Sequence, residues 1–226
     1  MLFSSLLATT LRIPLGYKVA SFGPRPTAPL ELYDIEACPY CRKVREALTM
    51  LDLDVVIRPS PKAGERFRPE GIARGGKRQF PLLVDHGAGV TLYESDAIVA
   101  HLYRAYGAAP APLFLRSGVL GDAFSGAASI ARLPRGRRAR PNRGAETLLH
   151  LWSYESSPYC RRVRERLTEL ELPYVLHNVG KGSPRREAFI ARAGKMQVPY
   201  LEDPNTGVAM FESLDIVAYL TDTYGN

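Results

Sequence analysis

Two short stretches of this 226-residue chain hold residue types that could do chemistry. Residues 36–49, EACPYCRKVREALT, set Cys38 and Cys41 three positions apart around Pro39 and Tyr40. Residues 155–168, ESSPYCRRVRERLT, repeat the pattern with Ser157 in place of Cys38 and with Tyr159 and Cys160 kept. Two thiols at this spacing can form a disulfide across one helical turn and exchange it with an outside thiol, because a thiolate attacks sulfur. An unactivated hydroxyl cannot, so Ser157 keeps the shape of the motif and loses its nucleophile.

The flanking residues say why Cys38 should be the reactive member. Pro39 suits the first position of a helix, where its missing N–H costs nothing, so Cys38 falls at the cap. There it faces unpaired N–H groups and the positive end of the helix dipole, which lower a thiol pKa from about 8.5 into the range ~3.5–7.5. Arg42 and Lys43 are expected to add positive charge. Cys41, one turn on, is expected to be a partly buried resolving thiol, and Ser157 to be a plain helix cap. A zinc site needs about four ligands. Beyond the pair the chain offers Cys160, His86, His101, His150 and His177, none at a paired spacing, so no metal site is expected from spacing.

The elements that position these residues follow from a duplication. Residues 30–56 match 149–175 at 15 of 27 positions, and 79–107 match 197–225 at 14 of 29. Each copy is about the size of a minimal domain. Within the first, LELYDI (30–35) reads as a strand and Val44, Leu48 and Leu51 mark a helical face. DVVIRP (54–59) completes a βαβ unit with parallel strands. A helix near 66–74 follows, then an antiparallel hairpin of PLLVD (81–85) and VTLY (90–93), and a helix from about Glu94 to Arg104. The expected class is α/β, with the order β-α-β-α-β-β-α occurring twice. The division is an N-terminal extension (1–29), a first domain (30–107), a linker (108–148) and a second domain (149–226).

Charge is concentrated between the copies. From Ala108 to Gly144 there are seven arginines and only Asp122 to oppose them, which is six of the net +7. This Arg/Ala/Gly/Pro-rich linker is expected to be a solvated basic connector, or a wrap with PLFLRSGVL as an apolar clip. Its lack of interleaved aromatic residues argues against nucleic acid as a partner. No apolar run approaches the ~20 residues of a membrane-spanning helix, so no membrane partner is expected. Three cysteines without an export signal argue against a secreted disulfide scaffold, and the cytoplasm is the expected compartment. The first 30 residues hold no acidic residue and include Arg12, Lys18 and Arg25, which is also the composition of a transit segment and gives the plastid stroma as the alternative.

CPYC after a strand resembles the active-site motif of dithiol glutaredoxins. QFP (79–81) followed by YES (93–95) is similar to the glutathione-binding part of the glutathione transferase N-terminal domain. Both belong to the thioredoxin fold, and the whole chain resembles tandem glutaredoxin-like proteins with two such domains, found in bacteria and plastids. It departs from a glutathione transferase in carrying a linker and a second copy where that enzyme has a long helical domain. The resemblance implies that Pro81 is a cis-proline, that the Phe80 backbone pairs with the cysteine of glutathione, and that Tyr40 walls the tripeptide. It also implies that Glu94 and Ser95 open a helix receiving the γ-glutamyl carboxylate. In the second copy Val198, Pro199, Glu212 and Ser213 keep the frame, with Ser157, Tyr159 and Cys160 completing a glutathione-type groove.

The expected function is therefore a glutathione-dependent thiol-disulfide oxidoreductase. Cys38 and Cys41 are its expected catalytic pair, glutathione its cofactor, protein disulfides its substrates and the second domain a binding or docking module, in a monomer or homodimer. Two alternatives stay open: an iron–sulfur cluster protein ligated by Cys38 and glutathione, and a transferase-like or redox-sensing adaptor without dithiol turnover.

Overall fold

The computed structural model describes residues 16–116 and 135–226. In the first copy β1 (Leu30–Asp34) leads into α1 (Pro39–Met50) and β2 (Val55–Pro59). Then come α2 (Phe67–Gly75), the hairpin β3 (Leu82–Asp85) and β4 (Val90–Leu92), and α3 (Ser95–Tyr106). After the short α4 (Leu113–Arg116) the second copy repeats the order. It comprises β5 (Leu149–Ser153), α5 (Pro158–Glu169), β6 (Tyr174–Asn178), α6 (Arg186–Ala193), β7 (Tyr200–Asp203), β8 (Val208–Phe211) and α7 (Ser213–Tyr224). The expected β-α-β-α-β-β-α order is present twice, with ends shifted by a residue or two.

Within each copy the βαβ strands are parallel and the hairpin is antiparallel, as the short connections require. The joining of the copies was not foreseen. β2 pairs antiparallel with β6, Val55 opposite Leu176 and Ile57 opposite Tyr174. One eight-stranded sheet results, in the order β4-β3-β1-β2-β6-β5-β7-β8. In an isolated copy β2 would be an apolar edge with unpaired backbone groups, and pairing with the other copy removes that liability.

Alternation along the strands sorts the core by face. Leu30, Leu32, Val55 and Ile57 join Leu149, Leu151, Tyr174 and Leu176 in one continuous core under α1, α3, α5 and α7. The opposite face carries a separate cluster for each copy, Tyr33 with Phe67 and Leu82, and Trp152 with Phe189 and Tyr200. Val44, Leu48 and Leu51 are fully buried, as their spacing predicts.

The charged residues of α1 and most of those of α5 are buried too, several of them against the other copy. Arg45 binds Asp34 (2.6 Å), Glu36 (3.2 Å) and Glu155 (3.0 Å). Arg164 binds the same Glu36 (3.1 Å) and Glu155 (2.9 Å), and donates to Ser153 Oγ at 3.1 Å. Burial alone would raise Glu155, but Arg164, Arg45 and Arg42 outweigh it and hold its carboxyl down to about 2. For Asp34 burial prevails over Arg45 and the pKa rises to about 6. On the other side of the junction Arg185 binds Asp52 and Asp54, and His177 Nδ1 lies 2.7 Å from Asp54 Oδ2.

Two backbone straps cross between the copies. Residues 16–19 lie on the second copy: Ser156 N donates to Gly16 O (3.1 Å), Lys181 N to Tyr17 O (2.8 Å) and Val19 N to Lys181 O (2.9 Å). Residues 136–139 lie in the same way on the first: Ala37 N donates to Gly136 O (3.3 Å), Lys62 N to Arg137 O (2.8 Å) and Ala139 N to Lys62 O (2.9 Å). Of the two readings of the linker, these bonds fit the wrap and not the solvated connector. Backbone groups left open in the turns of the first copy are satisfied by the linker. Of PLFLRSGVL, Leu115 is buried at the foot of α3 while Leu113 is exposed, and residues 117–134 lie outside the described residues. The first 15 residues, half of the suspected transit segment, lie outside them as well. Among the described residues no helix is long and apolar enough to cross a membrane.

Candidate functional site

Strand directions gather the candidate residues at one end of the sheet. Tyr33 is opposite Leu82 and Leu83 opposite Leu92. The exit of β1 toward Cys38, the entry to β3 at Pro81 and the exit of β4 toward Glu94 are therefore neighbours. β2 is parallel to β1, so the loop after Pro59 opens at the same end. The second copy places Ser157, Pro199 and Glu212 together by the same register, with Trp152 opposite Tyr200 and Tyr200 opposite Phe211. Since β2 and β6 run antiparallel, the two groupings lie at opposite ends of the joined sheet.

Cys38 caps α1 in an extended conformation (φ −81°, ψ 125°), with Pro39 first in the helix. It is partly exposed, whereas Cys41 is completely buried, and both are free thiols. The Cys41 S–H bonded to its sulfur lowers the Cys38 pKa; burial works against this, and the backbone N–H groups of Cys41 and Tyr40 add to it, leaving about 7. Cys41 is driven well up by burial and by the neighbouring Cys38. The arrangement is one ionisable sulfur over one held protonated.

Two expectations about this site need correcting. Arg42 and Lys43 do not support the thiolate: both are buried and turned to carboxylates, Arg42 to Glu46 at 3.0 Å and Lys43 to Asp96. Cys41 is wholly rather than partly buried. Both differences arise because α1 is enclosed by the second copy and by α3, which sequence periodicity within one copy does not reveal.

The peptides Phe80–Pro81 and Val198–Pro199 are both cis. Pro81 and Pro199 are buried, and Phe80 and Val198 half-buried. Gln79 Nε2 donates to Glu94 Oε1 at 2.6 Å, and Gln197 makes the same bond to Glu212. Glu94 (φ 63°) and Glu212 (φ 68°) both adopt left-handed backbone just before α3 and α7. Such geometry in non-glycine residues costs on the order of 1–3 kcal/mol and concentrates at ligand sites. Ser95 and Ser213 are buried in the first turn of their helices; the caps are Glu94 and Glu212, so neither serine serves as the cap. Tyr40 and Tyr159 are about half exposed, at 46% and 49%.

The copies differ most at the motif itself. Ser157 is 2% exposed and its Oγ accepts from Cys160 N at 3.2 Å, the capping role expected of it. Cys160 is fully buried and its pKa is raised, chiefly by that burial. Asp34, buried beside the Cys38–Cys41 pair, is replaced by Ser153.

A family model described as "Glutathione S-transferase, N-terminal domain" matches residues 32–110 and again 151–226. The chain belongs to this family. It contains the domain twice, as two tandem copies of the thioredoxin fold. A search of curated proteins returns no match. Among solved structures, Bombyx mori glutathione transferase BmGSTD1, determined alone and in complex with GTT, is 31% identical over 38% of this chain and 39% of that one, with a TM-score of 0.34. This chain thus spans well under half of that protein. Leishmania TDR1, described as a unique trimeric glutathione transferase, is 15% identical over 87% of this chain and 67% of its own, with a TM-score of 0.30. The family match covers both candidate groupings.

Alkylation should test the acidity of Cys38 directly. The rate of iodoacetamide modification at Cys38 is expected to rise with pH to a plateau with a midpoint near 7. A midpoint at or above about 8.5, the value of a free thiol, would remove the thiolate argument.

Proposed function

We propose that this protein is a glutathione-dependent thiol-disulfide oxidoreductase working through Cys38 and Cys41. The observation that carries the reading is the pair itself: a partly exposed capping thiol with its pKa lowered to about 7, hydrogen-bonded to a buried thiol whose pKa is raised. In the reaction the Cys38 thiolate attacks a mixed disulfide between a protein and glutathione. The protein sulfur leaves with the bonding pair and takes a proton, and Cys38 becomes joined to glutathione. A second glutathione thiolate then attacks the glutathione sulfur, releasing oxidised glutathione and restoring Cys38. With a protein disulfide as substrate, Cys41 displaces the reduced protein and forms the Cys38–Cys41 disulfide, which two glutathiones reduce.

Phe80, cis-Pro81, Glu94 and Ser95 are the residues assigned to hold glutathione beside Cys38, with Tyr40 as a side wall. The second copy, lacking the nucleophile and with Ser157 covered, is assigned to docking. The iron–sulfur alternative gains no support from the family match.

Mass spectrometry of the Cys41→Ser variant treated with oxidised glutathione tests the reading. One glutathionyl group should accumulate on Cys38 and be removed by excess glutathione, and the same variant should trap protein partners as mixed disulfides. An adduct on Cys160, or none on Cys38, would overturn the assignment.

A further inference from the structure

The two straps are built alike and carry different side chains. Gly16 (φ +66°) and Gly136 (φ +63°) occupy matching places, both with left-handed backbone that disfavours a side chain and both passing close to the opposite copy. A Cβ on Gly136 would lie 3.1 Å from Glu36 Cβ and 3.2 Å from Glu165 Cγ, and one on Gly16 would lie 2.8 Å from Glu155 Cβ. Beyond the glycine, the strap at the Ser157 end reads Tyr17, Lys18, Val19, and the strap at the Cys38 end reads Arg137, Arg138, Ala139. Tyr17 is used structurally, its ring lying edge-on to Tyr154 at 5.5 Å. Arg137 is half-buried and Arg138 exposed, and neither side chain has a hydrogen bond or ion pair with a described residue.

These two cations are anchored beside the nucleophile. Gly136 O accepts from Ala37 N, the residue before Cys38, and Arg137 O accepts from Lys62 N in the loop after β2. That loop opens at the same end of the sheet as Cys38. Arg68 lies over the Phe80 ring, 4.9 Å from its centre, and adds to the positive rim. Pairing of Arg138 with Lys62 sets Arg137 and Arg138 on opposite sides of the strap. Arg137 directly follows the residue whose carbonyl bonds Ala37 N, and the screening length at physiological salt is about 8 Å. A cation fixed by backbone bonds on a loop, with no counter-ion among the described residues, suits an anionic visitor. Each glutathionyl group has two carboxylates and one ammonium, a net negative charge.

We propose that the linker strap is a wall of the Cys38 site, with Arg137 and Arg138 attracting and orienting the carboxylates of the glutathionyl group that Cys38 attacks. This rests on the oxidoreductase reading for the identity of the anion, while the positive field at Cys38 stands without it. The ends of the molecule then differ in two matched respects: the one with the nucleophile has Arg137 and Arg138 on its strap, and the one without has Tyr17 and Lys18.

The double variant Arg137→Glu/Arg138→Glu separates these points. Alkylation of Cys38 by anionic iodoacetate relative to neutral iodoacetamide reads the local field, whatever the protein's substrate. That ratio should fall about tenfold in the variant at low salt and converge on the wild-type value as salt is raised. The rate of Cys38 with oxidised glutathione should fall by a similar factor, the rate with cystamine, which has no carboxylate, should not fall, and Lys18→Glu on the other strap should change neither. An unchanged alkylation ratio in the folded variant would overturn the field. A changed ratio with equal effects on oxidised glutathione and cystamine would overturn the carboxylate recognition. A wild-type Cys38 that reacts with cystamine but not oxidised glutathione would overturn both the recognition and the glutathione-dependent function, leaving the field to be judged by alkylation alone.

Discussion

Replacing Cys38 by serine should lower the glutathione-dependent reduction of a mixed disulfide at least about a hundredfold, because it removes the group that forms the covalent intermediate. Cys160→Ser should leave activity within about twofold. Cys160 is fully buried, its thiol pKa is raised, and the residue three positions before it is a covered serine. A coupled reductase assay with both variants at equal concentration decides the matter. Equal losses would mean that the two copies act as one site, against their placement at opposite ends of the sheet.

The second large effect concerns the shared charge cluster. Arg45→Ala removes the cation facing Asp34, Glu36 and Glu155, all of them buried. Breaking a buried pair by deleting one partner typically costs about 3–5 kcal/mol, and urea unfolding at pH 7 should show a loss of that order. The pH dependence follows from Glu155, whose pKa is lowered to about 2. A depressed carboxylate contributes stability above its unfolded value of about 4.3 and loses that contribution as the pH falls through about 2. The difference between wild type and variant should therefore be largest near neutrality and narrow below about pH 4. A constant difference across that range would show that Arg45 acts by packing alone.

Much of one copy was legible in the chain because its signals are local. Pro39 after a strand fixed the start of α1, the spacing of Val44, Leu48 and Leu51 fixed its buried face, and the short hairpin turn fixed the antiparallel pairing. The cis-prolines followed from family resemblance alone. What could not be read was anything that depends on the other copy. Arg42, Arg45 and Glu46 look like the solvated side of an amphipathic helix until α5 and the β2–β6 junction are placed against them. The straps are hard to read for a related reason: their matched glycines, Gly16 and Gly136, sit outside the two strong blocks of identity.

The β2–β6 junction also bears on how the two ends could come to differ. When two separate identical chains pair about a two-fold axis, every residue appears twice and no substitution can be confined to one side. With both sides encoded in one chain, each position can vary alone. The pairing also no longer depends on protein concentration, since the partner is always tethered. Asp34 opposite Ser153, Cys38 opposite Ser157 and Arg137 opposite Tyr17 are asymmetries that a dimer of one repeat could not hold. Fusion thus permits two faces that differ at their motifs on a frame whose central pairing needs both.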